Sequence, residues 1–182
     1  MLEVLRDLLE VVLLLDERAV AFVLAIRSPL LTKVLTSVTG MGSAAAGAVF
    51  LGLLWLADWD EEFRQTLVAL AVCGAVVGVL MSTIQRPFPP QPVCLTDGGE
   101  TVATSFPSGH AAAVAAYATV ARDSEVFPFG PTALLAAAIA FSRIYLGTHY
   151  LSDTVVGVLI GVGAALLAKR LLADERVRAA LE

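Results

Sequence analysis

Gln65–Gln85 reads QTLVALAVCGAVVGVLMSTIQ, 21 residues without a charge, bounded by Arg64 and Arg86. Crossing the hydrocarbon core of a bilayer takes about 20 apolar residues in helical form, so this stretch predicts a transmembrane helix. Upstream, Val34–Ala57 gives 24 uncharged residues and a further span. Downstream, Gly109–Ala121, Val126–Ser142 and Thr154–Ala168 are shorter uncharged runs. Each reaches spanning length when flanking residues snorkel or face a protein interior. The expected fold is all-α, a polytopic transmembrane helix bundle with five spans near 35–57, 65–85, 108–122, 130–147 and 150–172.

Composition agrees with that reading. Of 182 residues, 58% are apolar and only 16% charged, against about a quarter charged in soluble domains. Mean hydropathy is +0.81. The net charge of −5, from 12 Lys+Arg and 17 Asp+Glu, gives a nucleic-acid partner no electrostatic support. Cys73 lies inside an apolar run and Cys94 in a loop, which is no disulfide framework. Glu3, Arg6, Asp7 and Glu10 interrupt the first residues, so they do not read as a secretory signal.

The length suits one membrane-embedded domain, 1–182, divided into an N-terminal segment, 1–33, and a bundle, 34–172. In the N-terminal segment Leu2, Leu5, Leu8, Leu9 and Val12 recur at helical spacing with charges between them. This predicts an amphipathic helix lying on the membrane. A sixth crossing within 8–27 would have to accommodate Asp16, Glu17 and Arg18. Small residues at Gly40, Gly42, Ala44–Gly47, Gly157, Gly161 and Gly163 predict close helix contacts.

Residues 86–107, RPFPPQPVCLTDGGETVATSFP, hold five of the eight prolines and form a long loop. Its end, Pro107-Ser108-Gly109-His110, opens the third span. There Ser108 suits an N-cap, Gly109 permits close backbone approach, and first-turn amides suit an anion. A second constellation is Ser142-Arg143, His149 and Asp153. On one helix His149 and Asp153, four apart, would share a face; the carboxylate would then fix the ring tautomer and leave the other nitrogen as base or nucleophile. Arg143 offers a planar fork of donors to phosphate oxygens. Alternation of the spans brings Arg86, His110, Arg143, His149 and Asp153 to one membrane face, where ionisable groups are costly and signal function.

These motifs resemble the type 2 phosphatidic acid phosphatase family, the membrane branch of the superfamily that includes bacterial acid phosphatases and vanadium haloperoxidases. Its second signature, Pro-Ser-Gly-His, is complete at 107–110, and its third, Ser-Arg-x5-His-x3-Asp, is complete at 142–153. Its first signature, Lys-x6-Arg-Pro, keeps Arg86-Pro87 but has Val79 in place of lysine. The resemblance covers roughly 35–170. It implies that His149 attacks phosphorus to give a phosphohistidine, Asp153 orients the ring, and His110 protonates the leaving alkoxide and then activates water. Arg86, Ser108, Gly109 and Arg143 would hold the phosphate.

The implied activity is metal-independent hydrolysis of a lipid phosphate or diphosphate, without a cofactor, with membrane lipids as surroundings. The alternatives are phosphotransfer through the same site, or a degenerate lipid-phosphate binder, for which Val79 speaks. Asp97 and Glu100 read as a solvated turn rather than metal ligands. With Arg86 and Arg143 set aside, four cations lie on the site face and six on the other. This places the site on the extracytoplasmic face of the plasma membrane.

Overall fold

The computed structural model describes residues 2–93 and 104–173, and all regular structure among them is helical. The helices are α1 (Leu2–Ile26), α2 (Pro29–Thr39), α3 (Ala44–Leu56), α4 (Asp60–Thr83), α5 (Gly109–Arg122), α6 (Phe129–Tyr145) and α7 (Leu151–Ala173). By length and composition α4 and α7 can each cross a membrane, and the bent pair α2–α3 makes a third candidate. Helix α6 is apolar but shorter. Cys94, Asp97 and Glu100 lie outside the described residues.

Helix α5 is the axis of the bundle, because alanines at 111, 112, 115, 116 and 121 let its neighbours approach. Its Ala112, Ala116 and Val120 pack with Ala69, Cys73 and Val77 of α4 and with Ala164, Ala165 and Ala168 of α7. On α7, a Cβ added at Gly157 would run into the Ser108 carbonyl oxygen, and one at Gly161 into that of Ala112. The two helices therefore touch backbone to backbone, as the small-residue stripe predicts. Gly163 and Gly40 face open space instead. Gly157→Ala must push α5 away at its first turn, and overpacking of this kind costs about 1–3 kcal/mol. A lowered thermal midpoint in detergent, beside an unchanged or raised one for Gly163→Ala, is the expected result.

The span expected at 35–57 is broken. Gly40–Gly42 forms a 3-10 turn, and α2 and α3 meet there at a 60° bend. Two glycines within three residues weaken the helix, each by about 1 kcal/mol relative to alanine. Ser43 then starts a new one, its Oγ accepting the Ala46 N–H at 3.2 Å.

Helix α1 runs unbroken past Asp16, Glu17 and Arg18, with Asp16, Val20 and Val23 buried against the bundle. At its end Arg27 donates to the carbonyl oxygens of Tyr145, at 2.8 Å, and Gln91, at 3.0 Å. The Tyr145 hydroxyl accepts the Ser28 N–H at 2.9 Å and lies 3.1 Å from Thr32 Oγ1. Thr39, at the far end of α2, reaches Ser142 and Arg143. The second half of α1 and all of α2 are thus fastened at the end of the bundle where α6 finishes and α7 begins.

Candidate active site

Segments distant in sequence meet at that end. The Ser105 N–H donates to the Arg86 carbonyl at 2.8 Å, and Ser105 Oγ to that of Pro87 at 3.1 Å. Thr104 Oγ1 donates to the Ile84 carbonyl at 2.7 Å and accepts the Arg86 N–H at 3.1 Å. These bonds close the two ends of the proline-rich loop and set Arg86-Pro87 beside Pro107-Ser108.

The Ser105 carbonyl oxygen lies 2.5 Å from Nδ1 of His149. A carbonyl can only accept, so Nδ1 carries the proton and the neutral ring presents its lone pair at Nε2. This corrects the sequence expectation, which gave tautomer control to Asp153. Helix α7 begins at Leu151, so His149 sits in the preceding turn and the i,i+4 argument does not apply. Asp153 turns elsewhere: Oδ2 accepts the Tyr150 N–H at 2.8 Å, and Oδ1 lies 2.5 Å from Arg86 Nη1.

The spacing from Arg143 to His149 has a backbone cause. The Arg143 carbonyl accepts the N–H groups of both Thr148 and His149 at 3.2 Å, and Thr148 Oγ1 at 3.0 Å. The turn passes through Gly147 at φ +71°, where a Cβ would also crowd Pro92 and the Gln91 carbonyl. Arg143 itself donates from Nη1 to Thr39 Oγ1 at 2.9 Å, and Ser142 Oγ donates to the Ile139 carbonyl at 2.6 Å.

Arg86 is bound on several sides at this end of the bundle. Its Nη1 donates to Asp153 and, at 2.8 Å, to Ser152 Oγ; its Nη2 lies 2.6 Å from Asp16 Oδ2. The Tyr150 ring stacks under the guanidinium at 4.0 Å. Ser108 caps α5, its Oγ accepting the Ala111 N–H at 3.4 Å, and its own N–H donates to the Asp153 carbonyl at 3.1 Å. His110 packs on Gly42, where a Cβ would come within 3.1 Å of the imidazole. The break between α2 and α3 therefore makes room for this ring. From His110 and Gly109 an apolar cavity of about 560 Å³ runs between α3, α4 and α5 along Gly47, Leu70 and Cys73.

Burial first, and then the charge of Arg143, push the His149 pKa down to about 3; the bond to Ser105 opposes this and His110 adds to it. Unfolded, the ring would titrate near 6.5. Between the two values the folded protein binds fewer protons than the unfolded chain, so stability falls as pH drops through that window. The thermal midpoint in detergent is expected to decline from pH 6.5 to pH 4, with a shallower slope in His149→Gln.

The chain belongs to the PAP2 superfamily, whose family model matches residues 62–176. It is 32% identical over 155 residues to the decaprenylphosphoryl-5-phosphoribose phosphatase of Mycobacterium tuberculosis, covering 80% of this chain and 86% of that one. The protein of the same name from Mycolicibacterium smegmatis is 34% identical over 103 residues, 57% of this chain and 52% of that one. Among solved structures, Aquifex aeolicus LpxE matches with a TM-score of 0.71 at 26% identity, over 83% of this chain and 92% of that one. A transmembrane PAP2-type phosphatidylglycerolphosphate phosphatase from Bacillus subtilis shares the fold, with a TM-score of 0.72 at 23% identity, over 88% and 85%.

Sequence reasoning missed Asp16, Thr39, Gly42, Ser105 and Ser152. Asp16 left a signal, since it falls on the stripe completed by Val20 and Val23, both buried. Gly42 and Ser43 left another, as a helix break inside an uncharged run. Ser105 acts through its backbone carbonyl and left none.

Proposed function

We propose that this protein is an integral-membrane phosphatase that hydrolyses a lipid phosphomonoester or diphosphate through a phosphohistidine at His149. The observation that carries this is the buried His149 ring, held by the Ser105 carbonyl with its Nε2 lone pair available. Nε2 attacks phosphorus, the bond from phosphorus to the leaving oxygen breaks, and His110 delivers a proton to that oxygen. His110 then takes a proton from water, whose oxygen attacks phosphorus, and inorganic phosphate leaves as the bond to Nε2 breaks. Arg143, the Gly109 amide, the Ser108 hydroxyl and the remaining Arg86 donors bind the nonbridging oxygens. Asp153 serves by fixing Arg86 and the Tyr150 amide rather than by orienting His149.

Metal independence is part of the proposal, since phosphoryl transfer is largely positioning and charge stabilisation. The cavity leading from His110 suits an apolar tail that stays in the bilayer while the headgroup enters the site. The names of the mycobacterial relatives favour a polyprenyl-phosphate-linked pentose 5-phosphate over phosphatidate, phosphatidylglycerophosphate or a polyprenyl diphosphate. The bent pair α2–α3 and helices α4 to α7 supply the five crossings in this reading, with α1 lying along the site end and that end on the extracytoplasmic face. Phosphate release by purified protein in excess EDTA, across those four lipids, tests the activity; no release from any of them overturns it.

The degenerate reading draws on Val79. Val79 is 62% exposed, on the side of α4 away from its buried Ala69, Cys73 and Val77. A lysine there would start from that outer side, so Val79→Lys is expected to change the turnover number by less than about threefold. Activity that appears only in Val79→Lys would instead establish the degenerate reading.

A further inference from the structure

Asp16 is 2% exposed, carries a carboxylate, and comes from a helix that lies before the residues matched by the family model. Its surroundings are specific. Oδ2 takes Arg86 Nη2 at 2.6 Å and the Ser152 hydroxyl at 2.7 Å, while Oδ1 takes the Ser152 N–H at 2.8 Å. Ser152 Oγ in turn accepts from Arg86 Nη1 at 2.8 Å. One carboxylate thereby joins three elements: α1, the segment after α4, and the first turn of α7, three residues beyond His149.

Donor counting shows what this does to Arg86. A guanidinium has five N–H donors in a rigid plane. Asp153, Ser152 and Asp16 take three of them, at the two terminal nitrogens. Nε–H and one Nη2–H remain, and these two point the same way along the other edge of the plane. An arginine fastened at its tip presents that edge as a preformed pair of donors for two phosphate oxygens. Stacking on Tyr150 sets the tilt of the plane, and Asp16 sets its rotation.

We propose that Asp16 is a positioning residue of the phosphate site, holding Arg86 so that its Nε edge faces the phosphoryl group. This rests on the phosphatase reading above. Asp16 touches no substrate and works through Arg86, with Ser152 as the bridge. It gives the N-terminal helix a part in the site that the family's three signatures do not assign to it.

The test is a double-mutant cycle on phosphate release by full-length protein in detergent, with the best lipid of the panel. Asp16→Asn keeps the size and the acceptor for the Ser152 N–H but removes the charge that grips Arg86. It is expected to lower kcat at least tenfold. In the Arg86→Lys background, where the planar fork is already gone, the same change is expected to cost less than threefold. Ser152→Ala, a gentler change that leaves Asp16 and its backbone bond in place, follows the same pattern with a three- to tenfold loss and keeps the test open if Asp16→Asn folds poorly. Equal losses in both backgrounds would show that Asp16 merely supports the fold. A loss below threefold in otherwise wild-type protein, for both variants, would overturn the proposal as well. An inactive wild type would instead overturn the phosphatase reading, so the two failures are distinct.

Discussion

His149→Ala is expected to lower phosphate release by at least about four orders of magnitude, because in the proposed mechanism it removes the nucleophile rather than a contributor to binding. The protein should remain folded. The ring makes one described hydrogen bond, to the Ser105 carbonyl, and the turn that carries it is closed independently on the Arg143 carbonyl. The loss should fall on kcat, with lipid affinity nearly unchanged, since Arg143 keeps its hold on Thr39. Equilibrium binding of the lipid to the variant, measured beside its rate, separates this from a collapsed site. A variant retaining a tenth of the wild-type rate would remove His149 from the chemistry.

Arg86→Ala is expected to be the most destabilising single change at this end of the molecule. Arg86 is the cation between Asp16 and Asp153, whose side chains are 2% and 0% exposed. Breaking a buried ion pair by deleting one partner costs about 3–5 kcal/mol, because the remaining charge is stranded away from water. Here two carboxylates are stranded at once. The thermal midpoint in detergent should drop by on the order of 10 °C, and adding Asp16→Asn should recover part of it. A drop of only a degree or two would mean that the carboxylates find water or protons at no cost, and that the network is not a structural element of the site.

The helical, membrane-embedded character was legible because it depends on the length of uncharged runs, which a bilayer reads almost directly. Gln65–Gln85 lies within α4 and its exit, and the last span corresponds to α7. The contact stripe at Gly157 and Gly161 was legible for the same reason, since small residues at one-turn spacing have few other uses in lipid. The bend between α2 and α3 was not read, although Gly40, Gly42 and Ser43 announce it, because an apolar run conceals a change of direction. The histidines and arginines were picked out by their cost in a membrane. Their bonding was not: treating 149–153 as helix joined His149 to Asp153, whereas the turn before α7 gives the ring to a backbone carbonyl and Asp153 to Arg86. Asp16 was weighed only as an obstacle to a crossing, because a lone charge in an amphipathic helix does not reveal a partner 70 residues away.

The most direct measurement is to trap the phosphoryl group on the protein. Purified protein in EDTA would be mixed with an aryl phosphate, whose leaving group needs no proton, quenched in base to preserve phosphohistidine, and mapped by peptide mass. The account predicts a phosphoryl group on His149, accumulating further in His110→Ala, where activation of water is lost, and absent in His149→Ala. A phosphoryl group on any other side chain, or full turnover by His149→Ala, would contradict it.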